Sequence, residues 1–211
     1  MRSSLQDGEM VVAADPPELA RRVAEWLIGR IAEHPGKVRL ALSGGSTPKP
    51  LYELLATDEY SKRIPWPRVH LFWGDERFVP YDDPASNYGM TRAALLSKVP
   101  LPGSNIHPMP TDGDPDDAAM RYERQLQEEY GATSFDPARP LFEVDLLGLG
   151  EDGHTASLIP GEPVLEERRR WVAAVAHGRP EERLTLTYPA LESSRVAAFL
   201  VTGASKAAIL K

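Results

Sequence analysis

Cysteine is absent from all 211 residues. That excludes a disulfide framework, cysteine-ligated zinc and thiol catalysis, and it fits a reducing compartment. Long apolar runs are missing too. The opening "MRSSLQDGEM" holds no signal-peptide core, and nowhere do about 18 apolar residues follow one another. A cytoplasmic protein is expected. Positive charge is in the minority: 24 Lys and Arg stand against 31 Asp and Glu, a formal net charge of −7 with no polybasic block. Nucleic acid and anionic membranes are bound through clustered cations, so neither is an expected partner. There is no HExxH pair either, and no metal site is expected.

What is present suffices for one substantial core, and residues 1–211 read as a single domain. Apolar runs alternate with amphipathic stretches along the chain. "MVVAA" (Met10 to Ala14) reads as a short strand. A helix follows, with Asp15 as N-cap, Pro16 at its first position, Glu18 completing a capping-box-like start, and Leu19, Val23, Leu27 and Ile31 on one face. "KVRLALSGG" is a strand ending in a glycine turn, and "TPKPLYELLA" opens a helix with Thr47 as N-cap. "VHLFWGD" is a third strand, "SNYGMTRAALLS" a helix, and "PDDAAMRYERQLQEEYG" an amphipathic helix with Ala119, Tyr122, Leu126 and Tyr130 near one side. "FEVDLLGLG" is an apolar strand of the kind buried on both faces. "WVAAVA", "RLTLTYP" and "VAAFLVTG" supply further strands, and "ASKAAILK" starts a last helix. The alternation predicts an α/β fold: a mostly parallel, Rossmann-like sheet flanked by helices on both faces. The chain stops at Lys211 within a helical pattern, so the domain is expected to lack its C-terminal end.

In open α/β sheets, ligands bind beyond the carboxyl ends of the strands, and four polar stretches fall there. "SGGSTP" combines Ser43, Gly44, Gly45, Ser46 and Thr47 at a helix N-terminus, which is either a phosphate-binding turn or an ordinary junction. "WGDERFVP" crowds Asp75, Glu76 and Arg77 at a strand end, where the arginine either grips an anion or pairs with its acidic neighbours. "GLGEDGHTASLIPG" sets His154 two residues after Asp152 in a loop short of side chains. An imidazole oriented by a carboxylate exchanges protons near neutral pH, although a lone histidine is also a common structural residue. Arg183 and Lys206 near later strands are surface charges when taken singly. Their convergence with the other three stretches on one sheet points to a site.

These stretches, with "SNYGM", "RLTLT" and "VTGASKA", occur in the order seen in 6-phosphogluconolactonases, and the resemblance runs from about Leu40 to Lys206. The chain is similar, more distantly, to glucosamine-6-phosphate deaminases. The resemblance implies hydrolysis of 6-phosphoglucono-δ-lactone to 6-phosphogluconate without an obligatory cofactor, by a monomer or weak homodimer. It implies His154 as general base, Asp152 as its orienting partner, and Arg77 as the companion that stabilises developing charge. It assigns the Ser43–Thr47 turn, Arg183 and Lys206 to the 6-phosphate, and Asp75 and Asn87 to the sugar-hydroxyl side. Two positions separate the rival activities. Deaminases resemble "DGHIAFNEP", with a glutamate before the proline where this chain has Ile159, and they carry Asp-Glu-Tyr where this chain has Asp75-Glu76-Arg77. A sugar-phosphate-binding regulator without turnover would be marked by loss of His154 or Arg77, and both are present.

Overall fold

The computed structural model describes residues 8–210. In chain order its first half holds α1 (Pro16–Glu33), β1 (Val38–Leu42), α2 (Lys49–Leu55), α3 (Asp58–Ser61), β2 (Val69–Trp73), β3 (Asp75–Arg77) and α4 (Asn87–Ala94). The second half holds β4 (Ile106–His107), α5 (Pro115–Tyr130), β5 (Val144–Leu147), β6 (Val172–Val175), β7 (Arg183–Leu186), α6 (Tyr188–Glu192) and β8 (Ala197–Phe199).

The start of α1 follows the capping logic of its sequence. Asp15 stays extended and its carboxylate accepts the Glu18 N–H at 2.7 Å, while the Glu18 carboxylate reaches back to the Ala14 N–H at 2.5 Å. The buried stripe is Ala20, Ala24, Leu27, Ile28 and Ile31. Leu19 and Val23 are only half-buried, because the two alanines on the inner face let α1 lie close along α2. The strand expected over Met10–Ala14 does not form. No sheet edge among the described residues meets this segment, so it has no partner for its backbone groups, and Met10, Val11 and Val12 are exposed.

Five strands form a parallel sheet in the order β4-β2-β1-β5-β8. Leu40, Leu42, Leu71 and Leu146 point to the face covered by α1 and α2, around an apolar cavity of about 20 Å³. On the opposite face Tyr122 of α5 donates to the His107 carbonyl and accepts the Trp73 N–H, both at 3.1 Å. Helices thus cover both faces, as the sequence predicts. The strand order reverses between β1 and β5, which makes their carboxyl ends the topological switch point where such sheets bind ligands.

A second sheet, antiparallel with the order β3-β7-β6, was not foreseen. The sequence reads "VHLFWGD" as one strand and "WVAAVA" and "RLTLTYP" as further strands, with no sign of a second sheet. Gly74 separates the two sheets: its N–H donates to Leu42 of β1 at 2.9 Å, and its carbonyl accepts from Leu186 of β7 at 2.8 Å. The chain therefore changes sheets within one residue. The last expected helix is replaced by a 3₁₀ turn at Ala204–Lys206 followed by turns in which the Ile209 and Leu210 N–H groups both bond the Lys206 carbonyl, and Lys211 lies outside the described residues. No described helix is long and apolar enough to cross a membrane.

Candidate active site

The loops after β1 and β5 flank the switch point. Ser43 is buried, Gly44 half-buried, and Gly45 and Ser46 exposed. Gly44 is obligatory on packing grounds, since a Cβ there would sit 1.7 Å from Oδ1 of Asn87. Gly45, at φ +92°, takes the left-handed turn that glycine favours. Thr47 is not the N-cap of α2, because Pro48 holds that place with an already helical backbone. The Thr47 hydroxyl instead bonds Thr202 at 3.0 Å, tying the turn to the segment after β8. Tyr52 fastens the turn from beneath, donating to the Ser43 carbonyl at 2.7 Å.

Asp75 and Asn87 lie under this surface. Asn87 donates to the Asp75 carbonyl at 2.9 Å and to its Oδ1 at 3.2 Å, and Ser157 donates to Asp75 Oδ2 at 2.7 Å. Both are almost fully buried, at 6% and 2% exposure, and they join β3, α4 and the His154 loop. Glu76 points the other way and serves α4. Its carboxylate accepts the N–H groups of Arg77, Asn87 and Tyr88 and the Ser86 hydroxyl.

Arg77 and Arg183 stand directly opposite one another on β3 and β7. Arg77 donates to the Ala85 carbonyl at 2.6 Å, and its Nε has no protein partner among the described residues. Burial and the charge of Arg77 push the Arg183 pKa down, while Asp75, 4.0 Å away, pulls it back. Like charges facing across two strands are unfavourable, and Asp75 at 4.0 Å and Glu181 at 3.9 Å from Arg183 offset only part of that repulsion. The pair is therefore suited to a phosphate or a developing oxyanion.

The loop after β5 folds back so that the Gly150 N–H meets the His154 carbonyl at 2.7 Å. A Cβ at Gly150 would lie 2.1 Å from Nδ1 of His154 and 2.6 Å from Oδ1 of Asp152, so only glycine leaves room for this pair. His154 Nδ1 is 2.5 Å from Asp152 Oδ1, and Nη2 of Arg179 is 2.5 Å from Asp152 Oδ2. Burial works against the Asp152 carboxylate, but hydrogen bonds from Arg179 and His154 overcome it and hold its pKa far below the usual range. An ionised Asp152 only accepts, so the short contact places the proton on Nδ1. Nε2 of the neutral ring is then bare and able to take a proton. Ala156 at φ 48° turns Ser157 inward onto Asp75, linking the two halves of the site.

Lys206 rides on the turn between Thr202, bonded to Thr47, and Ile209, whose side chain would meet a Cβ on Gly153 at 3.2 Å. Contacts at Gly44, Asn87, Asp75 and Ser157 connect the turn after β1, β3, α4 and the loop after β5, and Arg183 faces Arg77 beside them, whereas Lys206 is tied to these loops only through the turn that carries it. Three participants escaped the sequence reading: Ser157, Arg179 and Asp145. Ser157 lies inside "GLGEDGHTASLIPG" but reads as one more small loop residue, and Arg179 lies in ordinary-looking loop sequence. Asp145 was hidden by its apolar neighbours in "FEVDLL". Fully buried with neither oxygen partnered among the described residues, it has its pKa pushed up to about 8 by burial and by Asp75.

A possible metal-binding cluster lies elsewhere, where His70, His107 and Glu129 bring ligand atoms within 4.8 Å of one another. Nδ1 of His70 and Nε2 of His107 are 3.0 Å apart, with ring centroids 5.3 Å apart and planes inclined by 14°. The two nitrogens aim at each other. A shared cation would need about 2.0–2.1 Å from each along those directions, whereas a single proton fits, so the contact is a hydrogen bond.

A family model described as glucosamine-6-phosphate isomerases/6-phosphogluconolactonase matches residues 14–211. The 6-phosphogluconolactonase of a Synechocystis species is 48% identical over 180 residues, covering 83% of this chain and 70% of that protein. The Mycobacterium tuberculosis 6-phosphogluconolactonase is 39% identical over 217 residues, covering 98% of this chain and 84% of that protein. Among solved structures, a crystal structure of a devB protein superimposes with a TM-score of 0.85 at 34% identity, covering 94% of this chain and 82% of the other. The chain belongs to the glucosamine-6-phosphate isomerase/6-phosphogluconolactonase family.

Proposed function

We propose that this protein hydrolyses 6-phosphoglucono-δ-lactone to 6-phosphogluconate in the oxidative branch of the pentose phosphate pathway. The observation that carries the reading is the Asp152–His154 contact, which leaves Nε2 of the imidazole as a free base on the loop that Ser157 ties to Asp75, next to the Arg77–Arg183 pair in β3 and β7. His154 takes a proton from water as the water oxygen bonds to the lactone carbonyl carbon. Negative charge gathers on the carbonyl oxygen, where Arg77 stabilises it. Collapse of this tetrahedral species breaks the bond to the ring oxygen, and His154 returns the proton there. A lactone is an activated ester, so one positioned base suffices, and the balance of the step calls for no cofactor. The Ser43–Thr47 turn, Arg183 and Lys206 hold the phosphate, and Asp75 and Asn87 shape the sugar side through the floor they form.

The family also contains deaminases, and Ile159 argues against that activity. At the position where the deaminase motif has its glutamate, this chain buries an isoleucine at 3% exposure, which cannot relay a proton. The net charge of −7, with no polybasic block, supports a small sugar phosphate and not nucleic acid as the partner, and we read the protein as a cytoplasmic monomer or weak homodimer.

A side-by-side assay of proton release from fresh 6-phosphogluconolactone and ammonia release from glucosamine-6-phosphate tests the reading. Lactone opening well above the spontaneous rate, without ammonia, is expected. His154→Ala should lower kcat by about 10²–10⁴ while product affinity changes little. Ammonia release, or no acceleration of lactone opening, would overturn it.

A further inference from the structure

We propose that Arg179 is a positioning residue for the proton-transfer pair, locking Asp152 from the side opposite His154. The proposal rests on the reading of His154 as general base. Asp152 stands on a turn with its side chain 40% exposed, an arrangement that leaves a carboxylate free to rotate. His154 alone would hold one of its oxygens. Nη2 of Arg179 takes the other at 2.5 Å and lies 3.0 Å from His154 Nδ1, so each carboxylate oxygen has its own partner. Since Nδ1 donates its proton to Asp152, the second distance is a close approach and not a hydrogen bond.

The tip of Arg179 is held on its other side too. Nη1 donates to the Gly178 carbonyl at 2.7 Å. Gly178, at φ +79°, sits so close to Ile159 and Glu162 that a Cβ would lie 3.2 Å from Cγ2 of the first and 2.9 Å from Oε1 of the second. The loop carrying Arg179 therefore rests on the buried Ile159. Arg183 repels the Arg179 guanidinium, while Asp152 offers it an ion pair. Both terminal nitrogens are engaged by protein, which makes the carboxylate and not the substrate its partner.

The charges explain the arrangement. A carboxylate alone beside His154 would orient the ring and also load it with negative charge. Asp152 with Arg179 forms a neutral pair, giving His154 an acceptor that selects the Nδ1–H tautomer without net charge.

The test is two-bond ¹⁵N–¹H spectroscopy of ligand-free protein labelled with ¹⁵N-histidine at pH 8, alongside lactonase kinetics, for wild type, Arg179→Ala and Arg179→Lys. Wild-type His154 is expected as the single Nδ1–H tautomer. Arg179→Ala should give a mixture of tautomers and a kcat about tenfold lower, with KM within about twofold, and Arg179→Lys should recover part of both. The His70 and His107 signals, from the buried pair, report that each variant is folded. An unchanged His154 tautomer in Arg179→Ala, or a raised KM at constant kcat, would overturn the proposal. If wild type does not open the lactone, the proposed activity fails on its own, while the tautomer comparison still judges the role of Arg179.

Discussion

At the scale of single residues, the site depends as much on missing side chains as on present ones. Gly150 and Gly44 are positions where one methyl group would occupy the space of a functional or supporting side chain. Gly150→Ala should displace His154 and Asp152 together. We expect kcat to fall at least about a hundredfold with the melting temperature within a few degrees of wild type, measured by lactone kinetics and calorimetry. A variant with near-normal kcat would show that the pair tolerates displacement. His154 and Asp152 were legible because one of only five histidines stands two residues after an acid in a glycine frame that follows an apolar strand. Arg179 was not, because "HGRPEER" carries no periodicity, and the contact that gives it meaning spans 27 residues of sequence.

At the scale of elements, α4 is held by an acid outside it. Glu76 is fully buried, and burial raises its pKa while the N–H groups of Tyr88, Asn87 and Arg77 lower it again. Two of those donors belong to the first turn of α4, where a carboxylate replaces the missing intrahelical acceptors. Glu76→Ala strands those donors in a dry site and should cost about 3 kcal/mol, read as a shift in the denaturation midpoint at constant m-value. A shift below about 1 kcal/mol would mean that water replaces the carboxylate. The helices with strong caps, α1 and α5, were legible to their first residue, since Asp15-Pro16 and Asp114-Pro115 encode the start locally. The second sheet was not legible. Its pairings join Asp75–Arg77 to residues more than a hundred positions away, and β6 and β7 have no periodicity that assigns them to one sheet rather than another.

At the scale of the molecule, two buried groups set opposite responses to pH. His70 titrates at about 4, depressed first by burial and then by Lys37. Its unfolded counterpart, near 6.5, binds a proton first as pH falls, so stability is lost between about 6.5 and 4, by up to about 3 kcal/mol. Asp145 behaves the other way. Its pKa is raised to about 8, so the unfolded chain releases that proton first, and stability is lost as pH climbs from about 4 to 8. Asp145→Asn removes only the second effect. Its melting temperature relative to wild type should therefore rise by several degrees between pH 5 and pH 8, and a difference independent of pH would show that Asp145 is ionised in the fold.

Gly74 bonds β1 with its N–H and β7 with its carbonyl, groups that belong to the two peptide planes on either side of its Cα. The two sheets are therefore joined through a single Cα, whose φ and ψ set the angle between the end of β2 and the start of β3. A pull on the arginines of β3 and β7 is expected to be felt at this joint. The Leu186 amide, whose bond ends on that carbonyl, then serves as a built-in gauge. A sugar phosphate spanning both sheets slows its exchange with deuterium, whereas inorganic phosphate held by the arginines alone leaves it unchanged.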